Sequence, residues 1–180
     1  MKFLTRRACR PDAGGWTALP SMRPRSVRLT RLLAVRASLT AALQRHGVTT
    51  VTVLTQRLGI PDADEYRLMQ VRSKRRMLVR EVVLHVAGEP WVFAHTVANP
   101  AAARLLRRAG RRPLATVLFA DPKVHPQTLH YRNIDRRHPL FAAASSWCAD
   151  ESLGYSARRA VFTRGSARLL VTEVFLPAVG

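Results

Sequence analysis

The stretch "MLVREVVLHVAGEPWVFAHTV" constrains this chain more than any other. Two apolar runs rich in β-branched and aromatic residues flank "AGEP", a short turn containing glycine, and such a pair closes into an antiparallel hairpin. An isolated hairpin is marginal in water, so further elements must cover its faces. The sequence supplies them. "TTVTVLTQRL" upstream reads as a strand, as do "QTLHYRNI", "SARRAVFTR" and "ARLLVTEVFLP" downstream, the last two joined around Gly165 and Ser166. Over residues 26–46 apolar side chains recur at helical spacing (Leu29, Leu32, Leu33, Leu39, Leu43). The pattern breaks near Ala37, where Ser38 can cap a second helix, and Gly47 stops it. "NPAAARLLRRAG", "RPLATVLFADP" and "HPLFAAASSWC" read as short helices, and "GIPDADEY" as a turn-rich connection. Hairpin-joined strands with helices between them predict an α+β fold on an antiparallel sheet. At 180 residues a single domain is expected, spanning 26–180 behind a flexible Arg-rich N-terminal arm at 1–25 that Trp16 could pin.

The net charge of +19 invites a nucleic-acid reading. Against it, 27 of the 30 basic residues are arginines, a bias that genome composition can produce, and they are scattered. Only "RSKRRMLVR" and "RLLRRAGRR" are dense, and neither interleaves the aromatic residues of a single-strand platform. No nucleic-acid partner is expected; the same field would draw a small anionic substrate. The sequence has no apolar window approaching the roughly 18 residues that span a bilayer, and the basic start has no apolar stretch for a signal peptide, so a cytoplasmic protein without a membrane span is expected. Cys9 and Cys148 lie far apart and read as free thiols; His125, His130 and His138 lack metal-site spacing, so no metal is expected.

Side chains alternate across a strand, and this exposes two anomalies. In the first hairpin strand Arg80 shares a face with Leu78, Val82, Leu84 and Val86; in the last strand Glu173 shares a face with Leu169, Val171 and Phe175. An unpaired buried charge costs several kcal/mol, so each residue must reach water, find an ion-pair partner or meet a ligand. Arg80 can pack its stem and extend its head to solvent, and Glu173 can pair with one of the many arginines. Alternatively both face one cavity, where a guanidinium grips a carboxylate in bidentate fashion and a carboxyl group bonds a hydroxyl or handles a proton. His95, on the second hairpin strand, reads first as a structural histidine and second as an acid or base. Ser145 and Ser146 lack the context of an activated nucleophile.

Five blocks in order, "RASLTAALQRHG", "VREVVLHVAGEPWVFAHTV", "GRRPLATVLFADP", "RRHPLFAAA" and "ARRAVFTRGSARLLVTEVFLP", resemble the chorismate lyases (chorismate pyruvate-lyases) of bacterial ubiquinone biosynthesis, from about Leu29 to the end. The resemblance implies a single α+β domain whose antiparallel sheet of about six strands carries a ligand pocket beneath helical flaps. It implies a carbon–oxygen lyase that converts chorismate to 4-hydroxybenzoate and pyruvate without cofactor, with slow release of product, and a monomer is expected. By motif, Arg80 would clamp the ring carboxylate, the backbone of Leu114 would contact the same group, Glu173 would bond the hydroxyl at the opposite end of the ring, and Leu39 would line the pocket. Two positions depart from the pattern: Arg36, ahead of the "SLT" helix start, and His95, where some relatives carry arginine. The competing readings are a non-catalytic effector-binding domain of the same fold, as in GntR-type regulators, which would need a DNA-binding domain that the 25-residue arm is too short to supply, and an enzyme making a different hydroxybenzoate from chorismate.

Overall fold

The computed structural model describes residues 15–17, 26–71, 75–110, 112–148 and 154–180. Most of the expected arm therefore lies outside the described residues. Within it, Trp16 is buried, and Thr17 exchanges backbone hydrogen bonds with Tyr131 at 2.8 Å each way.

The strands are β1 (Thr49–Gly59), β2 (Met77–Val86), β3 (Glu89–Ala98), β4 (His125–Pro126), β5 (His130–Ile134), β6 (Tyr155–Arg164) and β7 (Ala167–Phe175). They form one seven-stranded sheet in the order β1-β2-β3-β7-β6-β4, with β5 also on β6, and every pairing is antiparallel. The C-terminal strand is thus central, between the first hairpin and β6. The expected strands are all present; the addition is β4, two residues too short to leave a pattern. A bulge between Val53 and Thr55 of β1 sets Gln56 opposite Arg80.

The helices are α1 (Val27–Ala34), α2 (Leu39–Gln44), α3 (Ala63–Met69), α4 (Ala103–Ala109), α5 (Ala115–Leu118) and α6 (Leu140–Ser145). The break between α1 and α2 falls where the sequence places it: Ser26 accepts from the Leu29 amide at 3.0 Å and Ser38 from the Ala41 amide at 3.2 Å. α3 corrects the reading of "GIPDADEY" as a connection. Its start is held by Glu65, whose carboxylate accepts from the Asp62 amide at 2.9 Å, and Tyr66 and Met69 then enter the core. The Asp-x-x-Glu spacing that signals this start was visible in the sequence, masked by its turn-forming neighbours.

Four helices divide one face of the sheet between them in a way that creates a site. At one end α1 and α2 pack Leu29, Leu33 and Leu43 on Leu84, Val92 and Phe175. At the other end α4 and α5 pack Leu106 and Leu118 on Leu78, Ala98 and Leu169. Among the described residues no helix covers the middle of that face, which includes Arg80 and Glu173. The opposite face is covered by α3 and α6 through Met69, Phe141, Val83, Phe93, Val97, Leu170 and Val174.

That opposite face holds His95. Its Nδ1 lies 3.0 Å from Oε1 of Glu81, its partner across β2 and β3, and its Nε2 lies 3.3 Å from Oε1 of Glu65 on α3. Burial disfavours the imidazolium, but the hydrogen bonds to Glu65 and Glu81 outweigh it and raise His95 to about 9; the same bond from His95 holds Glu81 below the usual carboxylate range. His95 therefore fastens α3 to the sheet on the side away from Arg80. Its folded-state value exceeds its ordinary one, so its contribution is complete below about pH 6.5 and is lost as pH rises through about 9. Urea midpoints should fall between pH 7 and 9.5, by roughly 2 kcal/mol in stability, and His95→Gln should flatten that dependence. A wild-type profile that is level over this window would contradict the assignment.

Candidate active site

Between the two helical packs lies a cavity of about 340 Å³. This is at the lower end of the roughly 300–1,000 Å³ found for small-molecule sites. Its floor is the sheet: Arg80, Val82 and Leu84 of β2, Ala94 and Thr96 of β3, Val171 and Glu173 of β7, and Arg158, Ala160 and Phe162 of β6. Its walls are residues 35–37 with Leu39 and Thr40, residues 113–115 with Leu118 and Phe119, and residues 126–129. Arg36, Phe119 and residues 126–128 are solvent-exposed and mark the rim.

Arg80 is not a snorkelling strand residue: it is 2% exposed. Its Nη1 donates to the Gly110 carbonyl at 2.5 Å and to Oε1 of Gln56 at 3.2 Å, and its Nη2 donates to the Arg112 carbonyl at 3.0 Å. The loop after α4 thus fixes the guanidinium while leaving Nε–H and one Nη2–H for a ligand. Among the described residues Arg80 has no carboxylate partner, and burial pushes its pKa down from the ordinary range. A buried cation solvated by neutral carbonyls alone is a site that an anion completes. Leu114, beside this loop, lines the cavity, and its amide donates no hydrogen bond among the described residues.

Glu173 stands two same-face positions away across β3, because Arg80 pairs with Thr96 while Ala94 pairs with Glu173. At about 4.8 Å between strands the two backbones are roughly 10 Å apart across the sheet, a span that a small ring with polar groups at both ends can bridge. Here both halves of the sequence expectation hold together: Glu173 faces the cavity and is also ion-paired. Arg158, directly opposite it on β6, donates from Nε to Oε2 at 2.5 Å. Among the described residues Oε1 of Glu173 accepts no hydrogen bond and is free for a ligand. Leu39, 3% exposed at the start of α2, lines the cavity.

Arg158 is the residue that sequence reasoning missed. Besides Glu173, its Nη1 contacts the carbonyls of Leu32 at 3.0 Å, Leu33 at 3.2 Å and Val35 at 2.5 Å, so it also satisfies the end of α1, where carbonyls lack helical partners. One buried guanidinium thereby ties the wall formed by residues 35–40 to the carboxylate in the floor. The signal was present: in "SARRAVFTR" one of two adjacent arginines must face the same side as Glu173. His95 is absent from this constellation, lying across the sheet.

The fold is similar to the effector domain of PhnF from Mycobacterium smegmatis, with a TM-score of 0.57 at 15% identity over 79% of this chain and 90% of that one. It is likewise similar to a transcriptional regulator of the GntR family from Bacillus cereus, with a TM-score of 0.53 at 8% identity over 72% and 92%. These likenesses establish the fold. The sequence goes further, since residues 12–179 match the chorismate lyase family. Relatives named "Probable chorismate pyruvate-lyase" include those of Aromatoleum aromaticum, 37% identical over 94% of this chain and 96% of that protein, and of Azoarcus sp., 39% identical over 94% of each. The chain belongs to the chorismate lyase family.

Removing Arg158 alone strands Glu173 without its partner and exposes the α1 carbonyls. Arg158→Met should cost about 3 kcal/mol, and adding Glu173→Gln should restore part of that loss. Denaturation of the single and double variants checks the coupling; additive losses would contradict it.

Proposed function

We propose that the protein is a chorismate lyase that converts chorismate to 4-hydroxybenzoate and pyruvate, the first committed step of ubiquinone biosynthesis, acting in the cytoplasm. The observation that carries the reading is the buried Arg80, which no carboxylate of the described residues neutralises, at one end of a cavity whose other end presents Glu173. Membership of the family supplies the substrate.

On this reading the ring carboxylate lies on Nε and Nη2 of Arg80, with the Leu114 amide as a further donor. Such bidentate contacts fix a planar acid in orientation as well as position. The hydroxyl at C4 donates to Glu173, which Arg158 holds as an acceptor. The apolar walls exclude water and strengthen both contacts. The C3–O bond breaks with its electron pair leaving on the enolpyruvyl oxygen, and C4 loses its proton. The ring becomes aromatic, and the enolpyruvate takes up a proton to become pyruvate. Atoms balance and nothing is oxidised overall, so the chemistry asks for no redox group. The protein's task is to hold the reacting conformer. The same contacts fit the product, which makes its release the slow step.

Purified protein incubated with chorismate should give equimolar 4-hydroxybenzoate and pyruvate, with a burst at high enzyme concentration. Arg80→Ala should lower kcat/KM by at least about a hundredfold. Glu173→Gln, which keeps an acceptor oxygen, should retain more turnover than Glu173→Ala. Another hydroxybenzoate isomer would redirect the assignment within chorismate chemistry; binding of 4-hydroxybenzoate without any turnover would favour a non-catalytic effector domain.

A further inference from the structure

Among the described residues the charged side chains that line the cavity are Arg36, Arg80, Arg158 and Glu173, three guanidinium groups against one carboxylate, a net charge of +2. Arg158 and Glu173 neutralise each other through their ion pair. That leaves Arg80 buried among carbonyls at one end and Arg36 at the rim. The position of Arg36 is set by the same latch: the carbonyl of the preceding residue, Val35, is held by Arg158, whose Nε holds Glu173. Arg36 therefore leaves the backbone at the Glu173 end of the cavity, opposite the loop that grips Arg80. Burial raises the Tyr131 phenol above its ordinary range, and the charges of Arg158 and Arg36 both pull it back down. Among the described residues the Arg36 guanidinium makes no hydrogen bond or ion pair, whereas the other three charges are each fixed by named partners.

We propose that Arg36 is the specificity-determining cation of this site, receiving a second carboxylate carried on the half of the ligand that faces Glu173. Resting on the lyase reading, this names what separates substrate from product. Chorismate carries two carboxylates, one on the ring and one on the enolpyruvyl group at C3, beside the hydroxyl-bearing C4. 4-Hydroxybenzoate keeps only the first. Arg80 and Glu173 meet groups that substrate and product share; Arg36 meets the one that leaves. A cation at that point also offsets the repulsion between Glu173 and the incoming carboxylate. Because Arg36 stands at the rim, loss of the enolpyruvyl group frees the side chain from its ligand and weakens what holds the reacted molecule.

The test is a comparison of ligands in wild type, Arg36→Ala and Arg36→Lys by calorimetry, using 4-hydroxybenzoate as the monoanion and 3-(carboxymethoxy)-4-hydroxybenzoate as a dianion shaped like the substrate, together with KM for chorismate. Arg36→Ala should weaken the dianion and raise KM by about tenfold, leave 4-hydroxybenzoate within about twofold, and leave the denaturation midpoint unchanged because the side chain is exposed. Arg36→Lys should recover part of the loss, and added salt should narrow the gap between wild type and Arg36→Ala. Equal effects on both ligands, or no effect on the dianion, would overturn the proposal. If wild type made no pyruvate, the lyase reading would fall by itself, and the dianion comparison would still decide the role of Arg36.

Discussion

Arg80 carries a positive charge into the interior, and the site is organised around that constraint. Burying a guanidinium is tolerable only if its N–H groups are bonded. Two carbonyls from the loop after α4 and an amide oxygen from β1 bond three of the five, which leaves Nε–H and one Nη2–H for a ligand. Those partners are neutral, so they fix the group in place without cancelling its charge. Had a carboxylate stood there, the pair would be a structural ion pair and the cavity would have no reason to prefer an anion. The bulge in β1 that aligns Gln56 with Arg80, and the loop geometry that turns the Gly110 and Arg112 carbonyls inward, are local features of the fold that matter because of this one side chain.

At the far end of the cavity the opposite solution is used. Glu173 and Arg158 cancel in charge and gain their importance from connectivity. Arg158 reaches simultaneously to the acid and to three carbonyls around the end of α1, so the carboxylate cannot move independently of the wall beside it. Preorganisation of this kind lets a ligand meet an acceptor already in position instead of ordering one on arrival. The third charged device, His95 with Glu65 and Glu81, stays on the other face and acts on stability, which keeps its titration out of the cavity.

Much of this was legible before any coordinates. Alternation in two strands identified Arg80 and Glu173 as charges on apolar rows, and the capping serines located both starts in the α1–α2 region. Recognition of the five family blocks assigned site roles to Leu39, which periodicity marks only as a helix residue, and to Leu114, which no periodicity singles out. What the sequence withheld has physical causes. The partners of Arg80 are backbone carbonyls, which have no letter in a sequence. Arg158 and Arg159 are adjacent and identical in type, and only the register between β6 and β7 shows that the former meets Glu173 while the latter turns to Asp64, 2.6 Å away on α3. His95 reads first as a structural histidine, but its two carboxylate partners stayed hidden because they come from an adjacent strand and from a helix whose start lies among turn-forming residues. The gap between the helical packs, and hence the cavity, is a property of packing rather than of any single segment.

The most direct test of the account is a crystal structure of the protein soaked with 4-hydroxybenzoate. The account predicts the carboxylate within hydrogen-bonding distance of Nε and Nη2 of Arg80 and the hydroxyl within reach of Oε1 of Glu173, with the Arg158 contacts to Glu173 and the end of α1 intact. A ligand bound in the reversed orientation, or outside this cavity with Arg80 bonded only to Gly110, Arg112 and Gln56, would contradict it.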